Sequence, residues 1–399
     1  MAQRLGVHEL LHVFSFLEAQ DLLCAAQVNK IWNEVSMTTE LWRQLCLRRW
    51  SCPTVLGTQT WKQYYLCRSE LEFRMETGRP EKDFICKAVF GHTGEINKLA
   101  YISTNEHQFD RKKSVVCTVS SDCTVRAWDL HEVACAEGTL YTLTVPQLQV
   151  VSKVTLFPSP FVSLLCSPDR QWLFASAHNS DLGPKVFYTQ SLLHPSEDEL
   201  PVSTTLTVRL SSKACWAPDE AARLIVMHRN GSVRQLVVTT FELKAMKSRD
   251  RVSILAQQMA SFLLPDALMP PHLMQSHGSQ VILLTSGSEL VLFTIHGLQL
   301  EAFQDHQKPI TALWVGPERV ITSSLDLSLR VYTWNKKSNF PALKSCYHLL
   351  GGSHRWARGF SHVESDIMSI VGVEARSNGT SILRSYCFKV QCGQEACTG

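Results

Sequence analysis

The sequence predicts a two-part chain, a short all-helical segment followed by a much longer all-β repeat array. Three observations carry this. The hydrophobic period is helical from residue 8 to about 50 and becomes two after about residue 83. The length, 399 residues, exceeds one ordinary domain and suits two domains or a repeat array with an appendage. The composition is 45% hydrophobic, with 39 Lys+Arg against 36 Asp+Glu, which marks a folded globular protein and excludes disordered and collagenous chains.

In the helical segment, Leu10, Leu11, Phe14, Phe16 and Leu17 crowd one broad face. Gln20-Asp21 offers an N-cap, and Leu22, Leu23, Ala26 and Val28 continue the pattern before Ile31, Trp32 and Val35. Three short helices are expected. Leu41 to Trp50 is amphipathic, Trp61 to Leu71 adds one more helix, and Thr77-Gly78-Arg79-Pro80 reads as a linker. The predicted organisation is a helical segment over 1–50, a helical linker over 51–82, a β array over 83–390 and a tail over 391–399.

The strands of the β array come in groups, which points to a longer repeat. One copy is clear: Gly91-His92, then Ile96 to Ile102, Val115 to Val119, and Ser120-Ser121-Asp122-Cys123-Thr124-Val125-Arg126-Ala127-Trp128-Asp129. This is the Gly-His to Trp-Asp unit of a propeller blade. A second runs from His306 through Ile310 to Val315, Val320 to Thr322 and Ser323-Ser324-Leu325-Asp326-Leu327-Ser328-Leu329-Arg330-Val331-Tyr332, with Tyr332 where Trp128 stood. Weaker copies fall at Leu164 to Tyr188, Lys213 to Val238, Val281 to Ile295 and Trp356 to Phe388. Six blades are recognisable, and their spacing of about 50 residues leaves room for a seventh. Within the clear copies a buried polar chain is expected, holding a turn and doing no chemistry: His92, Asp122, Trp128 and a hydroxyl from Thr118 or Ser120, and correspondingly His306, Ser324, Asp326 and Tyr332. The Asn-Gly pairs at 230–231 and 378–379 read as hairpin turns.

His8-Glu9-Leu10-Leu11-His12 matches the H-E-x-x-H zinc-hydrolase helix, but no sheet precedes it to form a cleft, and Ser15 and Glu18 replace the Gly and His of the extended form. No metal is expected, and metal analysis separates this rival. No phosphate loop, nucleophile elbow or dinucleotide fingerprint occurs, so neither cofactor nor catalysis is expected. The 14 cysteines form no C-x-x-C pair and all read as reduced, buried thiols, Cys117, Cys123, Cys166 and Cys215 as structural ones in or beside strands. His8, Glu9 and His12 interrupt what would be a signal core, and no uninterrupted apolar run of about 18 residues exists, so a non-secreted, cytoplasmic or nuclear protein without membrane spans is expected. The near-cancelling charge supplies no field for nucleic acid and favours a protein partner.

The run Glu9-Leu10-Leu11-His12-Val13-Phe14-Ser15-Phe16-Leu17, with Asp21-Leu22-Leu23, Ala26 to Trp32 and Leu41-Trp42-Arg43, closely resembles an F-box. With the blades, the chain resembles F-box and WD-repeat proteins. That resemblance implies a non-catalytic receptor whose F-box docks on the Skp-type adaptor of a cullin–RING ubiquitin ligase and whose propeller holds a protein substrate. The implied adaptor contacts are Leu10, Leu11, Phe14, Leu17, Leu22, Leu23, Val28 and Trp32. Gly6-Val7 replaces the proline that commonly opens an F-box, so a WD-repeat scaffold with a degenerate F-box is the alternative. Asn97 and Thr311 occupy positions where phosphodegron readers carry arginine, with Arg355 and Arg358 near such a position in the last unit.

Overall fold

A computed structural model describes residues 6–50, 55, 59–80, 82–89, 94–102, 115–121, 125–126, 133–136, 139–143, 150–155, 157, 162–177, 182–194, 200–220, 222–230, 235–248, 251–335 and 341–388. The chain opens with α1 (Val7–Phe14), α2 (Ala19–Ala25), α3 (Lys30–Ser36), α4 (Thr39–Arg49) and α5 (Trp61–Thr77). Local chemistry sets the ends. Asn29 caps α3 by accepting from the Trp32 amide at 2.9 Å. Thr60 and Gln63 form a reciprocal capping box on α5, and Gly78 closes that helix in the left-handed region at φ +54°.

The helices share one core, in which Leu10, Phe14, Leu22 and Val35 meet Trp42, Leu45, Trp50, Tyr64 and Tyr65. Trp42 is fully buried, and its indole N–H donates to the Ser36 carbonyl at 2.7 Å. Because Tyr64 and Tyr65 belong to α5, the small helical segment borrows apolar surface from beyond residue 50. Farther along the same helix, Leu71 and Met75 pack with Val331, Leu349, Phe360, Ile370 and Tyr386 of the β region. Helix α5 is thus a strut, with one end in each core.

Seven antiparallel sheets follow among the described residues, five of four strands and two of three. Blade 1 holds Ile96–Ile102, Val115–Ser120 and Val125–Arg126; blade 2 holds Val133–Ala136, Thr139–Leu143 and Val150–Thr155. Blade 3 holds Val162–Cys166, Trp172–Ala177, Lys185–Tyr188 and Ser203–Thr205. Blade 4 holds Ser211–Trp216, Arg223–Arg229, Leu236–Ser248 and Arg251–Leu263. Blade 5 holds Leu273–His277, Val281–Ser286, Glu289–Thr294 and Gln299–Phe303; blade 6 holds Ile310–Val315, Arg319–Ser324, Ser328–Asn335 and Ala342–Leu350. Blade 7 holds Ala357–Ser365, Ser369–Arg376 and Ser381–Phe388, and its outer strand is Phe84–Val89 from the start of the array. That pairing, Phe84↔Phe388 to Val89↔Leu383, ties the first strand to the last.

This is a WD40-type propeller. Successive blades are joined by side chains reaching the neighbouring backbone: Trp216 Nε1 to the Leu165 carbonyl (3.1 Å), Ser276 Oγ to that of Trp216 (2.6 Å), Thr311 Oγ1 to that of Phe360 (2.6 Å), and Ser381 Oγ accepting from the Ile96 amide (3.0 Å). Blade 2 lies in none of the six repeats legible in the sequence and takes the place of the seventh; it carries neither the Gly-His nor the Trp-Asp mark. The thiols divide. Cys215 is buried, which pushes it up to about 12, and Cys166 is exposed. Cys67 is disulfide-bonded, unlike the all-thiol expectation, while the Cys117 side chain and Cys123 lie outside the described residues.

Candidate adaptor and propeller interfaces

The eight side chains singled out in the helical segment separate by depth. Leu10, Phe14 and Leu22 are inside its core at 1–3% exposure. Leu11, Leu17, Leu23 and Trp32 are half-buried against that core, and Val28 is 59% exposed. Sequence periodicity cannot make this division, because both faces of α1 and α3 are apolar. The structure adds exposed apolar residues outside those eight: Phe16 and Ile31, which belong to the apolar pattern, and Val7, Val13 and Met37, which sequence reasoning missed. Phe16 is 72% exposed and meets the His12 ring edge-on at 5.2 Å. His12, the second histidine of the H-E-x-x-H run, is therefore against an aromatic ring, and no group of three metal-ligating side chains occurs among the described residues.

The polar chain of blade 6 is built around His306. Its Nδ1 donates to Asp326 Oδ2 at 2.9 Å, and its Nε2 lies 2.7 Å from Thr322 Oγ1. Thr322 is in turn hydrogen-bonded to the buried Tyr332 hydroxyl. Burial pushes the Asp326 carboxyl upward, but hydrogen bonds from His306, Ser328 and the Gln307 amide outweigh this and hold it well below the usual carboxylate range. Ser324 stands apart from the histidine, donating to the Lys308 carbonyl at 2.8 Å and accepting from the Asp326 amide at 3.2 Å. It shapes the turn in which Leu327 takes φ +65°. In blade 1, His92, Asp122 and Trp128 lie outside the described residues, as does the Ser120 side chain; the Ser120 backbone pairs with Ile96.

The rim that carries the Asp326 turn also carries the loop into blade 7, since the Gly351 amide donates to the Leu327 carbonyl. There Trp356 is 61% exposed with the Arg355 guanidinium 5.4 Å from its ring centre, and Arg358 Nη2 donates to the Ser377 carbonyl at 3.1 Å. Asn97 is exposed in blade 1, and Thr311 spends its hydroxyl on the Phe360 carbonyl and Ser323. This rim offers an aromatic platform beside cations, an arrangement suited to binding. Helix α5 packs at the opposite rim, near the turn between Val315 and Arg319.

Comparison with known proteins agrees with both halves. The F-box-like family model matches residues 7–48, and the model of the WD domain, G-beta repeat, matches residues 84–129. The chain is 33% identical to human F-box/WD repeat-containing protein 12, covering 97% of this chain and 99% of that protein. It is 27% identical to mouse F-box/WD repeat-containing protein 15, over 98% and 100% of the two chains. Mouse F-box/WD repeat-containing protein 2 shares 28% identity over 32% of this chain and 28% of its own. With capped helices, a closed propeller and a full-length relative of this similarity, the chain belongs to the family of F-box/WD repeat-containing proteins.

Proposed function

We propose that this protein is the substrate-recognition subunit of an SCF-type ubiquitin ligase. The helical segment binds the Skp-type adaptor, and through it the cullin–RING core, while the propeller holds a protein substrate. The carrying observation is that the helices complete a core of their own and still expose apolar side chains, while α5 locks them to the propeller. The chain contributes no catalytic group. Its effect is proximity, raising the effective concentration of substrate lysines near the charged enzyme. Phe16, Val28 and Ile31 touch the adaptor, with Leu11, Leu17, Leu23 and Trp32 at the margin; Leu10, Phe14 and Leu22 act by holding the helices in place. The Trp356 rim receives substrate.

Co-expression with a Skp-type adaptor tests this. The wild-type chain retains the adaptor through gel filtration, and Phe16→Glu/Ile31→Glu loses it with an unchanged circular dichroism spectrum. A wild-type chain that fails to retain it, or a double variant that retains it equally, removes the ligase reading and leaves the scaffold.

A further inference from the structure

Blade 4 ends in the longest hairpin among the described residues, Leu236–Ser248 paired with Arg251–Leu263. Beyond Glu242 the hairpin outreaches the neighbouring strand Arg223–Arg229 and stands proud of the sheet, held on one face by Ala245, Ile254 and Ala256 packing against blade 3. Arg251–Leu263 is the last strand of its sheet, and among the described residues no strand pairs with its outer side. Its backbone therefore turns a row of donors and acceptors outward.

The other outer strands are short or blunted by charge. Lys87 interrupts Phe84–Val89, Lys153 interrupts Val150–Thr155, Glu301 interrupts Gln299–Phe303 and Lys344 interrupts Ala342–Leu350, while Ser203–Thr205 and Val125–Arg126 barely extend. In blade 4, by contrast, residues 252–263 contain no charged residue, glycine or proline. A register shift opposite Thr240 and Phe241 leaves Val252 to Gln258 as the regular part of this edge. Leu255, in its middle, is 48% exposed, and Met246 is exposed on the adjacent strand. The charges beside it on that strand answer each other, Glu242 and Lys244 standing 3.8 Å apart.

We propose that this edge is a dimer interface, in which Val252 to Gln258 pairs antiparallel with the same stretch of a second copy about a two-fold axis at Leu255. The axis sets Leu255 against itself, Ile254 against Ala256, Ser253 against Gln257 and Val252 against Gln258. On the blade 3 side a large side chain thus meets a small one, and no charge meets a like charge along the seam. A second copy suits this edge better than a charged peptide, to which the strand offers no ionic contact. Pairing joins two four-stranded blades into one continuous sheet and leaves neither with an open outer strand.

Sedimentation velocity of the full chain over a range of concentrations tests this. The expected result is a concentration-dependent species of twice the 45.0 kDa chain mass. Leu255→Lys sets two ammonium groups against each other at the axis and raises the dimer dissociation constant by about tenfold or more, with an unchanged circular dichroism spectrum because the side chain is exposed. Under mild oxidation Leu255→Cys gains a cross-linked dimer absent from the wild-type chain, since the axis places position 255 opposite itself, whereas Met246→Cys, one strand farther in, gains none. A chain that stays monomeric at every concentration overturns the proposal, and leaves the edge to a strand of another protein. A dimer that Leu255→Lys does not weaken, or that Leu255→Cys does not cross-link, overturns it equally.

Discussion

Glu364 stands in the innermost strand of blade 7, where burial lifts its carboxyl to about 7. The direction fixes its effect on stability. Below the unfolded value of about 4.3 the group is protonated in both states and costs nothing, whereas above pH 7 the folded protein must hold a poorly solvated carboxylate. Stability from this group is therefore lost as pH rises from about 4.3 through 7. Glu364→Gln is expected to raise the unfolding free energy at pH 8 by on the order of 2–3 kcal/mol and to leave it unchanged at pH 4, measured by urea melts at both values. Asp326 has the opposite character, its charge held by several donors. Asp326→Ala should cost about 2–4 kcal/mol at neutral pH by the same assay. At this scale the sequence was partly legible. The spacing of His306, Asp326 and Tyr332 made them candidates, but choosing Thr322 over Ser324 as the histidine's hydroxyl needs the packing of the His306 segment, because the two are an even number apart and the strand alternation puts both on one face.

Among the elements, the helices show how far periodicity reaches. It located α1 to α5 and their apolar stripes, but burial depth depends on which helix lies on which, and α5 arrives in that core from beyond the F-box-like region. Leu22→Ala is expected to cost about 2–5 kcal/mol, seen as a lower denaturation midpoint, since Leu22 is 1% exposed. Val28→Glu should change stability by less than about 0.5 kcal/mol and weaken adaptor retention instead. Blade 4 was legible only in part. Its last two strands, Leu236–Ser248 and Arg251–Leu263, run 13 residues each, and the half beyond Glu242 outreaches the neighbouring strand. Ala245, Ile254 and Ala256 on that extension pack toward blade 3, covering Trp172 and Leu206. A repeat template sized for ordinary blades does not extend so far, so Lys213 to Val238 recovered only the first half.

For the molecule as a whole, ring closure depends on one short strand. Phe84–Val89 supplies the outer strand of blade 7 and brings Phe84 against Tyr386 and Phe388 at 5.7 and 5.4 Å. Removing residues 84–89 exposes the edge of Ser381–Phe388 along its length and strips a wall from the core that receives Leu71 and Met75. Calorimetry of that deletion should show loss of the single cooperative transition and a drop of at least about 5 °C in the onset of unfolding, with aggregation on heating. A transition like that of the intact chain would mean that the ring does not depend on the clasp. The strand's role was invisible in the sequence, because Phe84–Val89 reads as any edge strand until its partner, about 300 residues later, is known.

The same clasp puts the molecule under a timetable. At the about 5–20 residues per second of protein synthesis, Phe84–Val89 leaves the ribosome roughly 15–60 s before the strand it must pair with. Through that interval the helical segment is complete enough to fold while the propeller is an open arc. On the function proposed above, a nascent chain can thus meet its adaptor before it can meet a substrate, and until its partner emerges the Phe84–Val89 strand is an unpaired edge.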